Sequence, residues 1–148
     1  MATKITKNFT VEELTKSATA VKHGISNAPT AAVLKCLTDL CEHILQPLRE
    51  AWGKPIVVNC GYRSPAVNAA LAADYKKQGK NIYVAPNSQH CLGQAADITT
   101  GNKEDNKKLF NLAIKLNLPF DQIIDEYGYS WIHISYGPRN RRKQLHYK

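Results

Sequence analysis

Two histidines and an aspartate carry the most pointed chemistry in this chain. His90 and Asp97 stand seven residues apart in SQHCLGQAADITT, residues 88–100, and His133 is the centre of WIHIS, residues 131–135. Two imidazoles and one carboxylate suit a four-coordinate zinc ion with water in the last position. That open position distinguishes a catalytic zinc from a closed structural one. Zinc brings the pKa of such a water to about 7 and polarises a carbonyl. Hydrolysis also needs a group that takes the water's proton and passes it to the leaving amine. Asp125 and Glu126 are the acids nearest His133 along the chain. Spacing alone does not separate a ligand histidine from one that is merely hydrogen-bonded at a surface.

The elements that must position these groups can be read from periodicity and caps. Alternation in WIHIS puts Ile132 and Ile134 on one face and Trp131, His133 and Ser135 on the other. In AADIT, Ala96 and Ile98 share one face, and Ala95, Asp97 and Thr99 share the other. Two such strands in one sheet bring Asp97 and His133 side by side on the face away from the core, with His90 on the loop leading in. Residues 122–126 and 131–135, joined around Gly128, read as an antiparallel hairpin. Residues 55–60 read as a further short strand, with Gly61 to Ser64 a turn and Ser64-Pro65 the cap and first position of a helix. Residues 76–88 read as a loop.

Upstream, Thr10 and Glu13 have capping-box spacing, with Phe9 and Leu14 placed for a hydrophobic staple. A longer helix is predicted over about residues 30–52, with Val33, Leu34, Leu37, Leu40, Cys41, Ile44, Leu45 and Leu48 on its apolar stripe and a kink at Pro47. Asn102 caps another helix, which presents Leu109, Leu112, Ala113 and Leu116 and ends at Pro119. Helices come first and strands cluster late, so the expected class is α+β, with a small, mainly antiparallel sheet packed against helices.

Composition narrows the setting. The 148 residues suit one domain over residues 1–148, with residues 1–8 and 138–148 expected as flexible ends. No apolar run approaches the ~20 residues of a membrane span. MATKITKNFTVEEL lacks the apolar core of a secretory signal. A product made in the cytoplasm is expected, and export would need a route other than a signal peptide. Cys36, Cys41, Cys60 and Cys91 match no zinc-finger spacing and read as free structural thiols. Of these, Cys91 is the one to check as an extra ligand, because it adjoins His90. The net charge of +8 favours anionic partners. Arg139, Arg141, Arg142 and Lys143 read as a solvated tail, and no RNA- or DNA-binding signature supports a nucleic-acid partner.

Three ordered motifs carry a resemblance. SQHCLGQAADI fits S-x-H-x-x-G-x-A-x-D, WIHIS supplies the closing W-x-H, and GYRSPAVNAAL resembles the Y-R-S-x-x-x-N segment that accompanies them. Together they resemble the zinc D-Ala-D-Ala carboxypeptidase family, the M15 peptidases. FTVEELTKSATAV and LQPLREAWGKPI resemble the small single-domain branch of that family. The zinc-binding stretches are also similar to those of the hedgehog signalling domain, so a hedgehog/DD-peptidase-like fold is implied. The resemblance implies zinc as cofactor, held by His90, Asp97 and His133. It implies Arg63 as the group that binds a substrate carboxylate or a carbonyl near the scissile bond, the planar fork suiting either. Ser88 is implied as a substrate contact, with a turn-forming role equally open. The substrate implied is a peptidoglycan stem peptide, cut by a carboxypeptidase or an L-alanyl-D-glutamate endopeptidase.

One departure affects the proton-transfer group. Many members place an acid three residues before the last histidine, where this chain has Ser130. The small branch places a glutamate further upstream, which favours Glu126, with Asp125 as the alternative. A non-catalytic zinc module that recognises a cell-wall or protein partner is the competing reading.

Overall fold

The structure, a computed structural model, describes residues 3–147. β1 (Lys4–Thr6) and β2 (Phe9–Thr10) form a two-stranded ribbon at the start. α1 (Val11–Thr15) follows with both halves of the capping box made. Thr10 Oγ1 accepts from the Glu13 N–H, and the Glu13 carboxylate accepts from the Thr10 N–H. α2 (Ala18–His23) is capped by Ser17, and α3 (Ala31–Leu40) by Thr30.

The irregularity expected at Pro47 takes the form of a π turn over Cys41–Leu45, before α4 (Gln46–Trp52) continues the helical path. Proline has no N–H to offer the preceding turn, and a widened turn upstream accommodates the missing bond. β3 (Val57–Cys60) leads through Gly61 to α5 (Pro65–Lys77), capped by Ser64. A 3-10 turn (Gln89–Leu92) carries His90 into β4 (Ala95–Thr99). α6 (Lys103–Lys115) is capped by Asn102, and β5 (Gln122–Glu126), β6 (Trp131–Ser135) and β7 (Lys143–Tyr147) complete the chain.

The main sheet runs β3-β4-β6-β5-β7, antiparallel except for the parallel β5–β7 pair. The fold is therefore α+β with a mostly antiparallel sheet against helices. One face packs on the helices. Ile98, Ile123, Ile132 and Ile134 meet Leu37, Leu40, Ile44, Leu45 and Leu48 from α3 to α4, with Leu109, Phe110 and Ala113 from α6, all buried. Each such leucine or isoleucine contributes about 1.5–3 kcal/mol by leaving water. The other face is left to the site.

The two ends expected to be flexible carry strands. β1 lies within residues 1–8, and β7 lies within residues 138–148, where it is fastened along the outer side of β5. The basic stretch read as a solvated tail is anchored as well. The Arg141 guanidinium forks onto Asp121, whose side chain is completely buried, through Nε–Oδ1 at 3.0 Å and Nη2–Oδ2 at 2.8 Å.

Candidate metal centre and active-site cleft

Register places the proposed ligands. Asp97 on β4 lies directly opposite His133 on β6, and on its other side opposite Cys60 of β3. A bulge between Val58 and Cys60 turns the cysteine into that position. His90 arrives from the 3-10 turn, whose cap is Ser88: its Oγ accepts from the His90 N–H at 3.1 Å. Gly93 closes the turn at φ +75°, with Val33 O and Val33 Cγ1 within 3 Å of where a Cβ would stand. A side chain there would push the turn off α3.

Asp97 Oδ1 is the point on which both rings converge, 3.4 Å from His90 Nε2 and 3.0 Å from His133 Nδ1. The rings meet edge to face with centroids 5.0 Å apart. His90 Nδ1 lies 2.7 Å from the Gly61 carbonyl, which can only accept. Nδ1 therefore carries a proton, and Nε2 is the nitrogen that looks toward Asp97. Ligands about 2.1 Å from a tetrahedral ion stand about 3.4 Å apart, which the two distances to Asp97 approach, and the N, N, O donor set suits zinc. The groups at this site whose ligand atoms all lie within 4.8 Å of one another are Cys60 with His90 and Asp97, and Asp97 with Glu126 and His133; they share Asp97 and place one histidine in each.

The charges agree. Burial disfavours the His90 cation, but the Asp97 carboxylate outweighs it, and the imidazole pKa is raised to about 10. Asp97 is also desolvated, and the two imidazoles more than offset this, holding its carboxyl far below the usual range. A buried carboxylate is here answered by protonated nitrogen, and a divalent cation can take that proton's place.

Glu126 lies on the same face of the sheet. Its carboxylate, Asp97 and His133 offer ligand atoms within 4.8 Å of one another. Burial, then the charge of Asp97, raise its pKa against the pull of His133 and of the Trp131 indole N–H, which donates to Oε2. Asp125, the alternative, points the other way. It accepts from the Tyr129 N–H inside the hairpin and meets His146 Nδ1 of β7 at 3.1 Å, so it serves as a structural link.

Arg63 and Ser88 line the same cleft, a cavity of about 480 Å³ that also takes in Glu126, Trp131 and Tyr147. Arg63 donates from Nε to Asn68 Oδ1 at 3.0 Å, and its Nη1 lies 3.3 Å from Cys60 Sγ. Asn68 has no role read from the sequence, although it closes the Y-R-S-x-x-x-N pattern in GYRSPAVNAAL. Its amide also donates to the Ala85 carbonyl and so ties Arg63 to the cleft wall. The cysteine grouped with two of the proposed ligands is Cys60 rather than Cys91. Cys60 Sγ is 3.9 Å from His90 Nδ1, and Cys60, His90 and Asp97 form a second candidate ligand group. Only the bulge reveals this, and no residue type announces it.

Among the described residues no helix is long and apolar enough to cross a membrane. A family model described as Peptidase M15 matches residues 7–135, from the first ribbon to the end of β6. No curated protein matches the chain.

Proposed function

The chain belongs to the Peptidase M15 family, and from that premise we propose that it is a zinc-dependent peptidase that hydrolyses peptidoglycan stem peptides. The observation that carries the zinc reading is the convergence of His90 Nε2 and His133 Nδ1 on one oxygen of Asp97 inside the cleft. These three side chains would hold the ion. When bound, zinc supplies Lewis acidity, which makes water a nucleophile near neutral pH and polarises a carbonyl.

The remaining work falls to the chain's own groups. Glu126 accepts the proton of the attacking water and returns it to the leaving amine, and its raised pKa brings it nearer to neutrality, where proton transfer in both directions is efficient. The Trp131 indole fixes the carboxylate that does so. Arg63, held by Asn68, offers its remaining N–H groups to a substrate carboxylate or carbonyl. Ser88 aims His90 by capping its turn and stands at the cleft wall. A phage lysis route, which carries a protein made in the cytoplasm to the wall, suits such an activity.

Mass spectrometry of purified muropeptides after incubation, with and without a chelator, tests the proposal. Cleavage that stops on chelation supports it, and the fragment masses tell loss of a terminal D-alanine from a cut inside the stem. If zinc-loaded protein releases nothing from any stem peptide, the residues belong to a non-catalytic zinc module.

A further inference from the structure

The cleft crosses the sheet from edge to edge, and an arginine stands at each side. Arg63 follows β3, the first strand in sheet order, while Arg139 and Arg141 precede β7, the last; all three line the cleft. Between them lie β4 and β6 with Asp97 and His133.

The two arginines at the β7 edge are not equivalent. Arg141 is committed to Asp121, with which it makes two side-chain bonds and one from its own backbone N–H. Arg139 reaches that carboxylate only at 3.8 Å, and 61% of its side chain is exposed. One buried carboxylate therefore faces two guanidiniums, and one positive charge is left over at the cleft wall.

We propose that Arg139 is a second carboxylate-binding position. The preferred substrate is then a short peptide with acidic groups on both sides of the scissile bond, one toward Arg63 and one toward Arg139. This inference rests on the peptidase reading above. Four strand spacings of about 4.8 Å separate β3 from β7, roughly 19 Å. A peptide of about six extended residues covers that width, and fewer suffice once the arginine side chains reach inward. Arg139 contributes as a partly hydrated point of attraction, so its effect is that of one solvent-accessible ion pair and weakens with salt.

The test is calorimetric binding of a synthetic stem pentapeptide, and of versions in which one carboxylate at a time is replaced by a carboxamide, to the wild-type chain and to Arg139→Gln and Arg139→Lys. In the wild type, one carboxamide that does not answer to Arg63 is expected to bind about five-fold more weakly than the parent. Arg139→Gln should bind that pair equally, and Arg139→Lys should keep most of the preference. In hydrolysis the loss should fall on KM. An unchanged preference in Arg139→Gln, or no binding of any peptide, overturns the inference. Hydrolysis without an Arg139-dependent preference refutes this inference and leaves the peptidase reading intact. Arg139-dependent binding without hydrolysis leaves Arg139 a carboxylate-binding position and overturns the peptidase reading, and with it the placement about a scissile bond.

Discussion

Asp97 and Asp121 are both carboxylates at the sheet, both held below the usual carboxylate range, and they are met in opposite ways. Asp121 accepts from the Arg141 backbone, from the Arg141 fork and from Gln89 Nε2, and no part of its side chain is exposed. Asp97 faces two imidazoles and keeps 16% of its side chain open to the cleft. Guanidinium never gives up its proton, so the Asp121 arrangement is closed and serves the fold. Imidazole does give it up, so the Asp97 arrangement can exchange a proton for a metal ion. The structural carboxylate and the one proposed to hold metal thus differ in whether their partners can change charge.

The sharpest test of that contrast is Asp97→Asn. It should drop zinc below stoichiometry and lower hydrolysis by roughly three orders of magnitude or more, measured by metal analysis and turnover. Full zinc occupancy in this variant would break the comparison. Glu126→Gln should come next, losing about 10²–10⁴-fold in kcat while it retains zinc, because the proton carrier is removed and the three proposed ligands stay.

Asp121→Asn should leave zinc content intact and instead cost about 2–3 kcal/mol of stability. For a chain of this size that lowers Tm by roughly 4–12 °C. Metal-free Asp97→Asn should cost less, since an asparagine N–H can donate to a neutral His90 Nε2. Calorimetry of the two variants under chelation decides this.

The smallest effect concerns acid. Arg141, the first influence on it, helps hold Asp121 down to about 2, from 3.8. A carboxyl depressed in the folded state stabilises it fully above its unfolded pKa, and that contribution fades as pH falls from about 4 toward 2. The urea midpoint of the wild type should therefore decline over that window, and Asp121→Asn should decline less steeply.

Much of this was legible in the sequence where local rules decide. The Thr10–Glu13 box, the Ser64 and Asn102 caps and the strands over 95–99, 122–126 and 131–135 follow from caps and alternation. The same alternation brings Asp97 opposite His133. Long-range partnerships were not legible. KQLHY offers only Leu145 and Tyr147 on one face, and it becomes a strand because β5 offers an open edge and Asp121 holds Arg141, twenty residues away. Cys60 faces Asp97 only because a bulge shifts the register. Asp125 and Glu126 are equivalent as neighbours in sequence, and only the pleat sends one into the cleft and the other behind it.

Gly61 ties α1 to the face of the sheet proposed to hold the metal. A Cβ there would stand 2.3 Å from Leu14 O, so the backbone of residue 61 rests directly on α1, and the carbonyl of that same residue fixes the His90 ring. The little helix capped by Thr10 is in effect the footing of an imidazole nearly eighty positions later. Damage to that footing would surface as a misaimed nitrogen, and hence as weakened grip on a cation, well before the molecule came apart.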